Sequence, residues 1–146
     1  MAALKKHDID TNYALLPLTM SADNPSLKYN TDKSGVWQLS FVNARKYGLQ
    51  IDGYFDERND IQKSSEAAAK YLKFLQKYYL NNDLLVVTAF YTSVPFVNKH
   101  LNQLENVNAK SFVNSLPPEI KGYLFYLRSW GNWIENFGVP QSLTSF

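Results

Sequence analysis

The sequence predicts an all-α domain with room for a minor strand, and three observations carry that expectation. Apolar residues recur at three- and four-residue steps in two long windows, 36–47 and 62–80. Helix stop and start residues stand at the window edges, with Gly48 after the first and Asp60 before the second. Prolines 117 and 118 with Glu119 sit where the first turn of a last helix tolerates them.

Taken in order, Asn12 to Ala22 reads as a short helix stopped by Asn24-Pro25, and residues 23 to 35 as a polar loop ending at Ser34-Gly35. A helix follows from about Val36 to Tyr47, with Trp37, Phe41, Ala44 and Tyr47 on one face and Gly48 as terminator. Residues 49 to 61 form an ordered loop in which Asp60 caps the next element. That element is the strongest helix of the chain, Gln62 to Leu80, with Ala68, Tyr71, Leu72, Leu75 and Tyr79 as its buried stripe. Alanines 67 to 69 permit close approach of a neighbour.

The apolar run Leu84 to Tyr91 is open between helix and buried strand, because Val86-Val87-Thr88 has strand propensity. Residues 95 to 115 hold one or two short helices, and the last helix runs from Leu116 to about Asn136, before Gly138 and Pro140. No repeat, low-complexity tract or linker divides the chain, so residues 1–146 are expected to form one domain.

Composition narrows the function classes. At 146 residues the chain can bury a core, and 45% hydrophobic with 19% charged residues is ordinary globular composition. A net charge of +2 gives no electrostatic argument for nucleic acid or anionic lipid. With no cysteine there is no disulfide framework, thiolate metal site or Cys nucleophile. The first apolar run, Tyr13 to Leu18, is too short to span a bilayer and contains Pro17. No signal segment precedes it, so an extracytoplasmic role would require a removed signal or anchor, or a longer parent protein. Aromatic residues make up 15% of the chain, which suits a sugar-stacking groove or an aromatic core.

Few residues carry chemistry on their own. His7 and His100 read as surface residues without metal-type partners, and neither a metal nor a cofactor is expected. The pair Asp56-Glu57 beside Arg58 reads as a structural ion-pair and capping cluster rather than a carboxylate site.

Five short patterns in order give a resemblance. They are Leu15-Leu16-Pro17-Leu18-Thr19-Met20-Ser21-Ala22-Asp23-Asn24-Pro25; Gly35-Val36-Trp37-Gln38 with Ala44-Arg45-Lys46-Tyr47-Gly48-Leu49; Phe55 to Asp60; Ser64 to Leu72; and Leu116-Pro117-Pro118-Glu119 with Tyr123. Together they resemble lytic transglycosylases of the lysozyme-like superfamily, the membrane-bound lytic murein transglycosylase D group. The resemblance implies a multi-helix domain like goose-type lysozyme with a substrate groove. It also implies an extracytoplasmic setting, with peptidoglycan glycan strands or cell-envelope proteins as partners and no nucleic acid.

In that family one Glu protonates the glycosidic oxygen and then takes the proton of the muramyl 6-hydroxyl as a 1,6-anhydro ring closes. The resemblance puts Met20 at that position, where a thioether can neither donate nor accept the proton. Asp23, three residues on, is the nearest substitute acid; Glu119 matches a Glu that is structural or substrate-adjacent. Tyr91-Thr92-Ser93-Val94-Pro95-Phe96 stands where the family has Tyr-Asn-Ala-Gly-Pro-Gly, and Val94 and Phe96 would narrow the groove. Ser21, Gln38, Tyr91 and Tyr123 match polar groove positions, whereas Trp37 reads as core. Three functions are therefore expected in turn: a silent domain that binds glycan or scaffolds, a protein-interaction domain with a plugged groove, and an active enzyme with a relocated acid such as Asp23.

Overall fold

The computed structural model describes residues 1–21 and 32–130, with Ser21 described by its backbone alone. Among them are eight α-helices and one two-stranded sheet, so the all-α expectation holds, minor strand included. No described helix is long and apolar enough to cross a membrane. The chain divides into two compact units, Met1–Phe74 and Leu75 onward.

The first unit opens with α1 (Ala2–Lys6), a helix too short to announce itself in the sequence. Leu4 anchors it in the core. Asp8 then takes a left-handed φ of 55°, and the Ile9 amide returns to the Leu4 carbonyl at 2.9 Å, closing a Schellman turn. Asp10 caps a 3-10 turn over Thr11–Ala14, which runs straight into α2 (Leu15–Ser21). The expected start at Asn12 is thus a tighter helix that becomes α-helical only at Leu15. Pro17 falls in the first turn of α2, where a missing N–H leaves no intrahelical bond unmade. Leu16, Thr19 and Met20, at i, i+3 and i+4, form its buried face, and the Thr19 hydroxyl donates back to the Leu15 carbonyl at 3.0 Å.

The expected helix from Val36 is corrected. β1 (Lys33–Ser34) and β2 (Leu39–Ser40) pair antiparallel, Lys33 opposite Ser40 and Ser34 opposite Leu39, and only then does α3 (Phe41–Lys46) begin. The reason is local. Gly35 and Gln38 both have positive φ, 75° and 47°, and the Gln38 main chain and side chain both donate to the Gly35 carbonyl. That tight turn cannot continue as helix, and Ser40 becomes the N-cap by accepting from the Asn43 amide at 3.2 Å. Gly48 ends α3 as expected, at φ 96°, with the Leu49 amide bonded to the Ala44 carbonyl at 2.9 Å.

Asp60 caps α4 (Ile61–Tyr78) through the Lys63 amide at 2.9 Å, as its position predicts. Alanines 67 to 69, Tyr71, Leu72, Leu75 and Tyr79 are all buried, so the expected stripe is correct. Tyr47 packs on Tyr71 with ring centroids 5.4 Å apart, and burial pushes the Tyr71 phenol up to about 12. The helix stops two residues short of Leu80, which takes a left-handed φ of 51° while Asn81 donates to the Gln76 carbonyl.

In the second unit the open question is answered: α5 (Asp83–Tyr91) is a helix, capped by Asn82 and buried at every residue from Val86 to Tyr91. A helix apolar on all sides has no stripe for periodicity to find. Two short helices follow as expected, α6 (Val94–Asn102) and α7 (Ala109–Ser115), the latter closed by an Asn108–Ser111 capping box. α8 (Pro118–Ser129) begins two residues later than expected, with Glu119 in its first turn. Its expected end near Asn136 lies outside the described residues. Asn98 of α6 bridges two tyrosines, accepting from Tyr79 at 3.1 Å and donating to Tyr78 at 2.8 Å.

Candidate functional site

Met20 is the first residue to place. It lies on α2 with no exposed surface, on the face that Leu16 and Thr19 also bury. Asp23 lies outside the described residues, as does the side chain of Ser21. Gln38 is half-buried in the Gly35 turn. Its amide nitrogen donates to the Gly35 carbonyl at 2.7 Å, and its amide oxygen accepts no bond among the described residues. Gln38 therefore serves the backbone with one end and keeps an acceptor with the other. Trp37 is core, as expected, its indole N–H donating to the Ser65 hydroxyl at 2.8 Å.

In the second unit, α5 and α8 bring Tyr91 and Tyr123 face to face. The ring centroids are 3.7 Å apart with 9° between planes, and both residues are at most 5% exposed. Each ring covers a face of the other, so neither is a stacking platform for a sugar.

The segment Thr92 to Phe96 builds the α5–α6 joint. Ser93 caps α6 by accepting from the Phe96 amide at 3.2 Å, and Pro95 stands at the second helical position. None of these five residues has a positive φ, so the joint makes no demand that glycine alone could meet. Phe96 packs on His100 at 4.6 Å between centroids. Glu119 is exposed in the first turn of α8.

The Asp56-Glu57-Arg58 cluster is structural, as its sequence suggests. Arg58 is buried and grips Asp56 with two nitrogens, Nε to Oδ1 at 2.9 Å and Nη2 to Oδ2 at 2.7 Å. Its remaining Nη1 donates to the carbonyls of Asp32 and Leu39, tying the loop to β2 and to the residue just before β1. The Arg58 hydrogen bond holds the Asp56 carboxyl below its ordinary range, against the opposing effect of burial. Gly35 completes the knot: a Cβ there would lie 1.9 Å from the Arg58 carbonyl oxygen. The backbone N–H of Gln50 and then Lys63 lower Glu57, so both carboxylates are committed to the fold.

The histidines depart from the surface reading. Both are half-buried. His7 Nε2 lies 2.6 Å from Glu66 Oε1, and the buried Nδ1 of His100 has no hydrogen-bond partner among the described residues. Among the described residues no group of three His, Cys, Asp or Glu side chains could hold a metal ion. Glu66 escaped the sequence reading because its partners, Lys6 and His7, lie some sixty positions away and no local spacing links them.

Known proteins resemble this chain in sequence. A profile of the transglycosylase SLT domain matches residues 1–113. Membrane-bound lytic murein transglycosylase D of Escherichia coli is 28% identical over 123 residues, covering 83% of this chain and 27% of the relative. A putative tributyltin chloride resistance protein from an Alteromonas species is 32% identical over 76 residues, 52% of this chain and 37% of the relative. The chain thus spans well under half the length of each. With the profile covering most of its residues, the chain belongs to the transglycosylase SLT domain family.

Proposed function

We propose that residues 1–146 form one catalytically impaired lytic-transglycosylase-like domain of the cell envelope, which holds peptidoglycan glycan strands without cutting them. The observation that carries this reading is Met20, a fully buried thioether at the position that the resemblance gives to the family's acid–base Glu. Acid–base catalysis contributes on the order of 100- to 10,000-fold, and no second carboxylate shares the task in this chemistry. The Thr92–Phe96 joint, formed without the family's glycines, supports the same reading. The positions that the resemblance assigns to glycan contact are Ser21, Gln38, Tyr91 and Tyr123, and of these Gln38 keeps its amide oxygen without a partner among the described residues. The name of the E. coli relative, a membrane-bound murein transglycosylase, supports both the substrate and an extracytoplasmic setting.

The test is to incubate the native chain and Met20→Glu with purified peptidoglycan and to assay 1,6-anhydro muropeptides, with pelleting on the same material as the binding readout. The native chain should bind and release none, whereas Met20→Glu should release product. Burying a carboxyl where Met20 sits should cost about 2 kcal/mol or more, so thermal unfolding checks that the variant is folded. Met20→Gln, polar but without a proton to give, should stay inactive. Product from the native chain would overturn the reading, and its loss in Asp23→Asn would assign the acid to Asp23.

A second reading rests on α8. Its outward side exposes Phe125, Tyr126 and Trp130, the last two in an edge-to-face contact at 6.0 Å. Contiguous exposed aromatics favour protein contact. Failure to pellet with peptidoglycan would move the function to a cell-envelope protein partner at that face.

A further inference from the structure

A cavity of about 870 Å³ in the first unit shares no lining residue with the groove positions discussed above. Its walls come from α1, the Tyr47–Leu49 turn after α3, Glu57 and Asp60, and α4. Six charged side chains line it, Lys6, Lys63 and Lys70 against Glu57, Asp60 and Glu66. The balance removes any long-range preference for a ligand of one net charge.

Most of these charges already have work. Lys63 pairs with Glu57, Asp60 caps α4, and Lys6 Nζ and His7 Nε2 both reach Glu66 Oε1, at 2.9 and 2.6 Å. Two groups are left over among the described residues: Glu66 Oε2 accepts no bond, and Lys70 has no carboxylate partner. Their spacing makes that unusual. A Glu four residues before a Lys is the arrangement that ordinarily pairs along a helix. Here His7 and Lys6 draw the carboxylate toward α1, and the Lys70 ammonium is left alone one turn away.

The geometry points to a binding site for a short zwitterionic peptide, its free amine on Glu66 Oε2 and its free carboxylate on Lys70 Nζ. Side chains at i and i+4 stand about 6 Å apart at their bases, and two extended residues reach about 7 Å. A dipeptide therefore bridges the two groups, whereas a simple anion or cation satisfies only one. The cavity is lined elsewhere by Ala2, Ala3, Gly48 and Ala67, which leave room for peptide backbone. Hydrogen bonds from His7 and Lys6 hold Glu66 down to about 2, so near neutral pH it is ionised while the peptide's amine is charged. This site goes beyond the glycan reading and does not rest on it.

Alanyl-alanine, its N-acetyl form and its C-terminal amide are the probes, titrated into the 15N-labelled chain and followed by amide chemical shifts. The free dipeptide should move Gly48, Ala67 and Lys70, and capping either end should weaken binding about tenfold, the loss expected for one charge-assisted hydrogen bond. Lys70→Glu should weaken it at least as much, and Lys70→Arg should restore it. Glu66→Gln should lose affinity for the free dipeptide but not for the N-acetyl form. Unmoved cavity residues, equal shifts with the doubly capped peptide, or an unchanged Lys70→Glu would each overturn the site. Peptide-free glycan strands run in parallel keep the two ideas separate: glycan binding without dipeptide binding sinks this inference alone, and the reverse sinks only the glycan reading.

Discussion

Arg58 and Thr88 are both polar and both buried, yet they stabilise their surroundings in opposite ways. Arg58 reaches outward, holding Asp56 and the carbonyls of Asp32 and Leu39. Thr88 turns inward, its hydroxyl donating to the Leu84 carbonyl of its own helix at 2.7 Å. The segment around Arg58 has little regular structure, so directional bonds must fix each backbone group in turn. α5 satisfies its backbone by being a helix, and burial of apolar volume carries its packing. Position is therefore encoded residue by residue in the first case and collectively in the second.

The strongest way to break this comparison is Gly35→Ala. Its methyl would meet the Arg58 carbonyl at 1.9 Å on a backbone of positive φ, and the turn or the knot must give way. We expect a loss of about 4 kcal/mol, read from denaturant midpoints. Arg58→Ala comes next, at about 3 kcal/mol, because three acceptors lose their donor while Asp56 keeps its charge. In α5, Val87→Ala should cost about 2 kcal/mol through its cavity, whereas Thr88→Val should stay within about 1 kcal/mol. If Thr88→Val cost as much as Arg58→Ala, the distinction would fail.

The smallest effect is in pH. Asp56 has its folded pKa below the ordinary 3.8, so its contribution is present above that value and fades as the pH falls below it. Glu66, lowered from 4.5 to about 2, behaves likewise, its contribution disappearing between those values. Urea midpoints from pH 5 to pH 2 should fall for the native chain, less steeply for Glu66→Gln and for Arg58→Ala. Val87→Ala should shift the whole curve without changing its slope.

The same contrast explains what could be read from the sequence. Asp60, Gly48 and the α4 stripe act through neighbours one turn away, and each stands where the residue pattern places it. Trp37 misled because its spacing to Phe41 is helical while its indole is bonded to Ser65 and Phe41 is partly exposed. A turn that depends on Gly35 meeting a carbonyl 23 positions later leaves no local trace. α5 stayed open because uniform burial erases periodicity. At the candidate site the motif singles out Met20, and its complete burial is visible only in the structure. The Tyr91–Tyr123 stack joins residues of two helices, so no local spacing reveals it.

Gly35 carries a consequence at the level of the gene. Every missense change one nucleotide away from a glycine codon yields a residue with a Cβ, and here any Cβ collides with main chain rather than with a side chain that could swing aside. Codon 35 is thus a dead end for single-step variation, even as Met20 sits in a core that other apolar side chains of similar volume can fill. The scaffold thus has little freedom to vary at a position where no side chain exists to be seen.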